Sequence, residues 1–273
     1  YTMVYGIAKM LNFAHGDIIM VGAYICFFTM SRFSNSLLMG GIAGTLLAMV
    51  VCTALGVVIE RLAYKPLRQA PSLAVLITAI GVSYFLQNAA QLLWGATPKN
   101  FTSLVTFQVP EFLAKFNVSA VSLVTIVACL VIMAGLMFFT GKTKMGKAMR
   151  AVSENKEAST LVGINVNRTI VTTFAIGSGL AAVAALMYCA QYHTVTTTMG
   201  SMLGLKAFVA AVMGGIGLIP GAMLGGIVVG IIEALVTAYI SSSLANAVVF
   251  LILIVMLLVK PAGILGKNVG EKV

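Results

Sequence analysis

The sequence contains very few charged residues. Only 9% of its 273 residues are charged, while 60% are hydrophobic, whereas a typical soluble domain carries about 25% charged residues. This composition excludes a soluble globular protein. Apolar runs recur along the whole chain, and about 20 apolar residues suffice to cross the ~30 Å hydrocarbon core of a bilayer as one helix. We therefore predict an all-α, polytopic membrane helix bundle.

Groups that usually perform catalysis or bind metals are also scarce. The chain has seven acidic residues, two histidines and four cysteines. The cysteines lie inside apolar segments without the paired short spacing of a zinc or redox site, and we interpret them as small core residues. The sequence contains no nucleophile elbow, no zinc-protease motif and no P-loop for nucleotide phosphates. We predict no catalytic residue, no metal site and no cofactor, so a nucleotide that powers this protein has to bind to another chain.

Lysine and arginine outnumber the acidic residues by 17 to 7, and in a soluble protein such an excess would suggest a nucleic-acid partner. Here most basic residues cluster in polar gaps beside apolar runs, as in the cytoplasmic loops of membrane proteins. We therefore predict membrane lipid and no nucleic acid as a partner, with the loop 141–168 and the C-terminus in the cytoplasm. Arg32, Lys99, Lys115 and Lys206 are expected on the opposite side. The three clusters consist of Arg61, Lys65 and Arg68, of Lys142, Lys144, Lys147, Arg150, Lys156 and Arg168, and of Lys260, Lys267 and Lys272.

The apolar runs divide the chain into about eight segments within a single transmembrane domain, 1–273. The first run is interrupted at residues 12–17, which predicts a broken helix. The sequence opens at Tyr1, without a methionine and without the pattern of a signal peptide. We expect Tyr1 to lie inside a longer sequence. The segments are 1–30, 37–59, 72–94, 119–140, 169–192, 203–219, 221–240 and 246–259.

Two stretches interrupt the helical pattern at membrane depth. Residues 12–17 have the sequence Asn-Phe-Ala-His-Gly-Asp, and residues 214–221 contain Gly215, Gly217 and Pro220. Irregular backbone survives within a membrane only where it is buried in protein or lines a watery cavity. We expect the chain to reverse or kink at 214–221 and to pack its glycines against the first break.

Asn12, His15 and Asp17 bring polar groups into the first break. Ionisable side chains in membrane segments often mark a solute or ion pathway, and these three residues are candidates for a translocation path. A turn at the membrane surface, where a histidine and a carboxylate cost little, explains the same pattern. The spacing alone does not decide between the two interpretations.

A polar stripe runs along the segment 72–94. Ser83, Gln87 and Gln91 follow one another at intervals of four residues, which places them on one side of a helix that should face away from lipid. We favour hydrogen bonds between helices as the explanation of this stripe. A path for a polar solute, lined by Gln87 and Gln91, is the alternative.

One acidic residue lies deep inside the segment 221–240. A lone carboxylate at the centre of a bilayer costs several kcal/mol, so Glu233 should be protonated or paired. Its candidate partners are Lys206, His193 or a hydroxyl group. A structural pair and a role in a solute pathway both fit its position.

The loop 141–168 contains a short amphipathic pattern outside the membrane. We predict a helix in residues 148–162 with Ala151, Ala158 and Leu161 on one apolar face, and Gly163 is a typical helix stop. A helix of this kind between two spans is suited to docking in the groove of a partner protein. The pattern taken alone favours a helix that lies on the surface between charged flanks.

Several motifs resemble, in order and over almost the whole chain, the permease subunit of branched-chain amino acid ABC importers. The first motif combines Tyr5-Gly6-Ile7 with residues 12–17, and a second lies in the loop 141–168. A third leads from Lys206-Ala207-Phe208 into the second break. The remaining matching residues are Arg150-Ala151, Glu154-Asn155, Gly163-Ile164-Asn165, Gly214-Gly215-Ile216-Gly217, Ile219-Pro220-Gly221-Ala222 and Pro261-Ala262-Gly263-Ile264-Leu265-Gly266.

The resemblance implies a subunit of the bacterial inner membrane with several partners. These are a second, homologous permease, two cytoplasmic ATPase subunits, and a periplasmic binding protein that delivers leucine, isoleucine or valine. It also implies a further transmembrane helix before Tyr1. Glu157-Ala158-Ser159, followed by Gly163, resembles the loop by which such importers dock their ATPases, although Ser159 replaces an alanine and a distal Leu-Pro is missing.

We thus predict two sets of functional residues and weigh them against other functions. The ATPase-coupling set is Arg150, Glu154, Glu157, Ala158 and Gly163. The translocation set is Asn12, His15, Asp17, Gln87, Gln91, Gly215, Gly217 and Glu233. A related permease for urea or short amides, an intramembrane enzyme and a structural membrane subunit are the alternatives, and the absence of paired nucleophile and base residues disfavours the enzyme.

Overall fold

The computed structural model describes residues 1–33, 37–102 and 119–266, and helices dominate this part of the chain. A π-helical turn, Glu60–Tyr64, and a short 3-10 turn, Lys65–Leu67, extend the third helix. Two short strands, β1 (Lys99–Asn100) and β2 (Thr194–Val195), pair in antiparallel fashion. The helices are α1 (Thr2–Ala8), α2 (His15–Arg32), α3 (Leu37–Ile59), α4 (Ser72–Trp94), α5 (Ala120–Lys142), α6 (Lys144–Glu154), α7 (Lys156–Leu161), α8 (Val166–Tyr192), α9 (Met199–Gly214), α10 (Ile219–Tyr239) and α11 (Ser242–Val259).

Six helices in the described ranges are long and apolar enough to cross a membrane: α3 with its extension, α4, α5, α8, α10 and α11. The prediction of an all-α, polytopic membrane protein is confirmed. The expected number of about eight spanning segments is not, because the first segment is divided between α1 and α2 and the sixth forms the 16-residue α9. Parts of the loop after α4 and of the C-terminal tail lie outside the described residues, among them Lys115, Lys267 and Lys272.

The centre of the bundle is formed by α2, α3 and α8, which pack closely at small residues. A Cβ added at Gly22 would lie 3.2 Å from the Ala182 Cα, and one at Gly56 would overlap the Ser178 side chain. Without a hydrophobic driving force inside a membrane, such close approach is what holds helices together. Cys26, Cys52 and Cys189 are buried in this core as predicted, but Cys129 is exposed on α5.

The two predicted breaks separate α1 from α2 and α9 from α10. In the second break, Gly215 and Gly217 have φ angles of 107° and 87°, which glycine adopts without the steric penalty of a Cβ. The chain reverses there, and α10 packs back along α9 so closely that a Cβ at Gly225 would lie 2.8 Å from the Gly214 nitrogen.

The second break packs against α1, and not against residues 12–17 as we expected. The Gly217 N–H donates to the Thr2 hydroxyl at 2.9 Å, and a Cβ added at Gly6 would lie 2.7 Å from the Gly217 Cα. Residues 12–17 instead meet the opposite, N-terminal end of α9. The expected contact between the two breaks was therefore wrong. The first break lies at the N-terminal end of α9 and the second break at its C-terminal end, so the length of this helix separates them.

Candidate functional site

Asp17 is the centre of a buried polar cluster that joins three helices. It lies in the first turn of α2 and is 0% exposed. Its carboxylate accepts hydrogen bonds from the Ser83 hydroxyl and, at 3.0 Å, from the Gln87 amide, both on α4. The same Gln87 nitrogen lies 2.7 Å from the Ser201 hydroxyl of α9. The first turn of a helix also favours negative charge, so the carboxylate is stabilised although no cation bonds to it in the described residues.

Glycines bring α2 and α9 close enough for this cluster to form. A Cβ added at Gly16 would overlap the Gly200 carbonyl, and one at Gly200 would lie 2.8 Å from the Asp17 Cα. Gly204 continues the contact one turn further along α9. The position of Asp17 therefore depends on backbone contact between two helices, which any larger residue would prevent.

Asn12 and His15 are buried beside this cluster. The Asn12 side-chain oxygen accepts a hydrogen bond from the Tyr64 hydroxyl at 2.8 Å, which ties the first break to the turn after α3. The His15 ring packs edge-on to the ring of Tyr1, with 6.3 Å between ring centroids. The first break is thus enclosed by protein and is not exposed to lipid at Asn12, His15 and Asp17.

The polar stripe on α4 divides into two parts. Ser83 and Gln87 form hydrogen bonds between helices, as we favoured, whereas Gln91 is exposed and Asn88 bonds to the Tyr84 carbonyl of its own helix. Gln87 and Gln91 lie on the same side of α4, but Gln91 is one turn further along the helix. Only Gln87 is therefore close enough to Asp17 to form a hydrogen bond with it.

Glu233 forms an ion pair with Lys206 between α10 and α9. The Lys206 Nζ and the Glu233 Oε1 are 2.6 Å apart, so the structure selects one of the three candidate partners. Lys206 lies within α9, inside the apolar segment 203–219. The side chains of Lys206 and Glu233 are 24% and 32% exposed, so the pair is open on one side.

Gly215 and Gly217 lie where the second break meets α1 and the chain segment 260–266. A Cβ added at Gly215 would lie 2.9 Å from the Gly266 nitrogen, and the Ile264 N–H donates to the Met213 carbonyl at 2.8 Å. The described end of the chain, 260–266, thus covers the second break, while α1 covers Gly217 from another direction.

The loop 141–168 forms two helices where we predicted one. Asn155 is extended, at φ −151° and ψ 115°, and its side chain caps α7 by accepting the Ala158 N–H at 2.9 Å. The predicted single apolar face is divided, because Ala151 lies on α6 whereas Ala158 and Leu161 lie on α7. Met149 and Val152 of α6 are buried in a cluster with residues of α1.

The exposed side of this loop carries most of the predicted coupling residues. Arg150, Glu154, Glu157 and Ala158 are exposed, and Gly163 ends α7 with a φ of 83°, as predicted for a helix stop. Leu161 is 88% exposed and Val162 is 75% exposed, so the C-terminal end of α7 presents apolar side chains.

The contacts that connect the loop to the helices were not predicted from the sequence. The Lys156 ammonium donates to the Ala8 carbonyl at the end of α1, at 3.0 Å. Burial and the positive charges of Arg68 and Lys9 lower the pKa of Lys156. Arg68 also pairs with the fully buried Glu60 and bonds to Asn167 at the start of α8. The sequence signal for the Arg68 contact is that Glu60 directly precedes the basic cluster of Arg61, Lys65 and Arg68.

A bundle of long apolar helices, with two breaks between helices and with hydrogen bonds and an ion pair that join neighbouring helices, defines a polytopic membrane protein. The sequence matches the family described as branched-chain amino acid transport system / permease component over residues 1–259. The chain belongs to this family.

Three relatives carry the same description over the full length of the chain. The high-affinity branched-chain amino acid transport system permease protein BraD of Pseudomonas aeruginosa is 40% identical over 280 residues, covering 100% of this chain and 91% of that protein. The corresponding protein LivH is 42% identical in Escherichia coli K12 and 41% identical in Salmonella typhimurium, with the same coverage. No solved structure matches the chain.

Proposed function

We propose that this chain is the membrane-spanning permease subunit of an ABC importer that moves leucine, isoleucine and valine across the bacterial inner membrane. The full-length similarity to permeases of branched-chain amino acid transport supports the cargo. The lack of a nucleotide-binding motif in the sequence supports an energy source in separate ATPase subunits. A second, homologous permease and a periplasmic binding protein complete the proposed assembly.

The single observation that carries the ATPase contact is the exposed end of α7. Leu161 and Val162 project from a loop whose other face is fixed to α1 by Met149 and Val152. A rigid element with exposed apolar side chains is suited to the groove of a partner protein. The basic residues around the loop favour a cytoplasmic location, where ATPase subunits would meet it.

The translocation path is proposed to run along the broken helices. Gly215 and Gly217 allow the chain to change direction between α9 and α10, and the Asp17 cluster holds α2, α4 and α9 together. Glu233 lies on the open side of the α9–α10 contact. The residues assigned to this path are Asn12, His15, Asp17, Gln87, Gln91, Gly215, Gly217 and Glu233.

Variants of α7 test the docking surface. Ala158→Trp and Leu161→Glu alter exposed side chains, so the permease should still insert, but ATPase subunits should no longer co-purify with it and uptake of radiolabelled leucine should be lost. Lys144→Gln, at an exposed position at the start of α6, is the matched control. Normal ATPase recruitment and uptake in both variants would overturn the assignment.

The cargo is tested in a strain that lacks leucine import. Expression of the chain with its neighbouring transport genes should restore uptake of leucine, isoleucine and valine, and should leave uptake of urea and short amides unchanged. Uptake of urea without uptake of leucine would contradict the proposed cargo.

A further inference from the structure

The ion pair between Lys206 and Glu233 is embedded in membrane helices and yet remains accessible. Glu233 is well inside the 21-residue α10, and Lys206 lies near the middle of α9. About a quarter to a third of each side chain is exposed, 24% and 32%. Lipid does not solvate charged groups, so the open side of this pair requires water, another protein surface or a polar solute.

Each partner keeps unused capacity for hydrogen bonds. The contact joins the Lys206 ammonium to the Oε1 atom of Glu233. An ammonium group has three N–H donors, and a carboxylate has two oxygens with several lone pairs. A ligand that carries both a carboxylate and an ammonium group could therefore approach both partners at once.

Two glycines and one exposed methionine lie on the helices beside the pair. Gly230 and Gly226 precede Glu233 by three and seven residues, which places them on the same side of α10. A Cβ added at either glycine would meet no atom within 4 Å. One turn before Lys206, the Met202 side chain is 39% exposed on α9. Free space and an exposed apolar side chain thus adjoin the two charges.

We propose that Lys206 and Glu233 form a binding site for the zwitterionic amino acid during its passage. Lys206 binds the α-carboxylate and Glu233 binds the α-ammonium group, while the branched side chain contacts the apolar surface near Met202. The inference rests on the proposed function and assigns the recognition of the cargo to one pair of residues. Asp17 does not serve this purpose, because it is fully buried and already accepts bonds from Ser83 and Gln87.

The exchange keeps every charge paired. When the zwitterion enters, the bond between Lys206 and Glu233 is replaced by two bonds to the ligand of the same type. A charge left alone in a low-dielectric region is strongly unfavourable, and this arrangement avoids that state both with and without cargo. A site with only one charged residue would leave that residue unpaired when no cargo is bound.

The experiment measures binding of radiolabelled L-leucine to the full chain, co-expressed with its neighbouring transport subunits and purified in lipid nanodiscs without the soluble binding protein. Lys206→Met and Glu233→Gln should each weaken leucine binding by about 10- to 100-fold, the range expected for one lost charge-assisted hydrogen bond. Thr237→Val, one turn beyond Glu233 on α10, is the matched control and should bind leucine as the wild type does.

Leucine analogues that lack one charge separate recognition from structure. Lys206→Met should not weaken binding of leucinamide, because that analogue has no carboxylate and leaves Lys206 unpaired in the wild type. Glu233→Gln should likewise not weaken binding of isocaproate, because that analogue has no ammonium group and leaves Glu233 unpaired in the wild type. A variant that merely distorts the helices would weaken binding of all three ligands together.

The charge swap Lys206→Glu with Glu233→Lys keeps the ion pair and controls for folding. We expect it to insert normally without recovering leucine affinity, because the reversed charges point the branched side chain away from Met202. Wild-type affinity in either single variant, full recovery in the swap, or no saturable binding in the wild type would overturn the inference. Normal leucine uptake in cells together with any of these results would leave the proposed function intact.

Discussion

Asp17 and Glu233 are carboxylates in helices of the same bundle, but their surroundings are opposite. Asp17 is fully buried and receives hydrogen bonds from neutral groups of another helix, whereas Glu233 is paired with a cation and is 32% exposed. Backbones are in contact around Asp17, and the glycines beside Glu233 face open space. The comparison indicates that one acidic residue fixes helices in place, while the other remains available to a ligand.

The difference follows from the chemistry of the partners. Hydroxyl and amide donors satisfy a carboxylate without adding charge, and three helices close around the group. A lysine partner neutralises the charge directly, so the pair does not need complete enclosure. Three pairs of substitutions, in order of decreasing effect, test whether the two regions differ in this way, and a substitution of Lys156, outside both regions, gives the smallest expected effect.

Replacement of glycine should give the largest difference between the regions. Gly200→Leu would force a side chain into the Asp17 backbone, and we expect a loss of about 3 kcal/mol or more, or no folded protein. Gly226→Leu, beside open space, should leave thermal unfolding of the purified chain almost unchanged. Equal effects of the two substitutions would contradict the contrast in packing.

Removal of the Asp17 carboxylate should have the next largest effect. Asp17→Leu leaves the donors of Ser83 and Gln87 buried without their acceptor, which should lower the free energy of unfolding by about 2 kcal/mol. Ser83→Ala is the milder control, because Gln87 still bonds to the carboxylate. Chemical unfolding in detergent would measure both, and a stability unchanged in Asp17→Leu would show that the cluster does not hold the helices.

Removal of the Glu233 charge should affect stability less than binding. Glu233→Gln leaves Lys206 without its counter-ion, but the site is partly exposed, and we expect a loss of about 1 kcal/mol. The double variant with Lys206→Met should recover most of this loss, since it leaves no unpaired charge. A double-mutant cycle measures the coupling, and a loss larger than that of Asp17→Leu would reverse the comparison.

A cation on the short helix α7, outside the long apolar helices, should show the smallest effect. Lys156→Met removes one hydrogen bond to the Ala8 carbonyl, and we expect a loss of about 0.5 kcal/mol. Because the pKa of Lys156 is lowered in the folded protein, the unfolded chain binds its proton more tightly. The contribution of this lysine to stability therefore rises with pH between its folded pKa and the ordinary lysine pKa. The rise should be absent from Lys156→Met in thermal unfolding at mildly alkaline pH, whereas an identical pH profile would argue against the shift.

The sequence predicted features that depend on local signals. Hydropathy indicated the membrane helices, glycine and proline marked the second break, and the cost of a lone carboxylate required a partner for Glu233. The choice of Lys206 could not be predicted, because it depends on how α9 and α10 pack. Helix packing also decides the surroundings of Gln91. It lies on the same side of α4 as Gln87, but one turn further from Asp17, and it is exposed.

The loop 141–168 shows why a helical pattern did not fix the helix boundaries. Asn155 is compatible with a continuous helix, and the interruption accompanies the burial of Met149 and Val152 against α1 and the bond from Lys156 to the Ala8 carbonyl. Its capping bond to Ala158 then begins α7 in a new direction. Contacts between distant parts of the chain therefore decided which residues of the loop are exposed.

The chain segment that covers the second break also sets an order of events during biosynthesis. The N–H groups of Ile264 and Leu265 donate to the carbonyls of Met213 and Gly214, the last two residues of α9. The ribosome adds these donors about 50 residues after α9 itself, so the end of α9 stays unsatisfied while α10 and α11 are inserted. The reversal at Gly215 thus gains these two hydrogen bonds only after Ile264 and Leu265 have been synthesised.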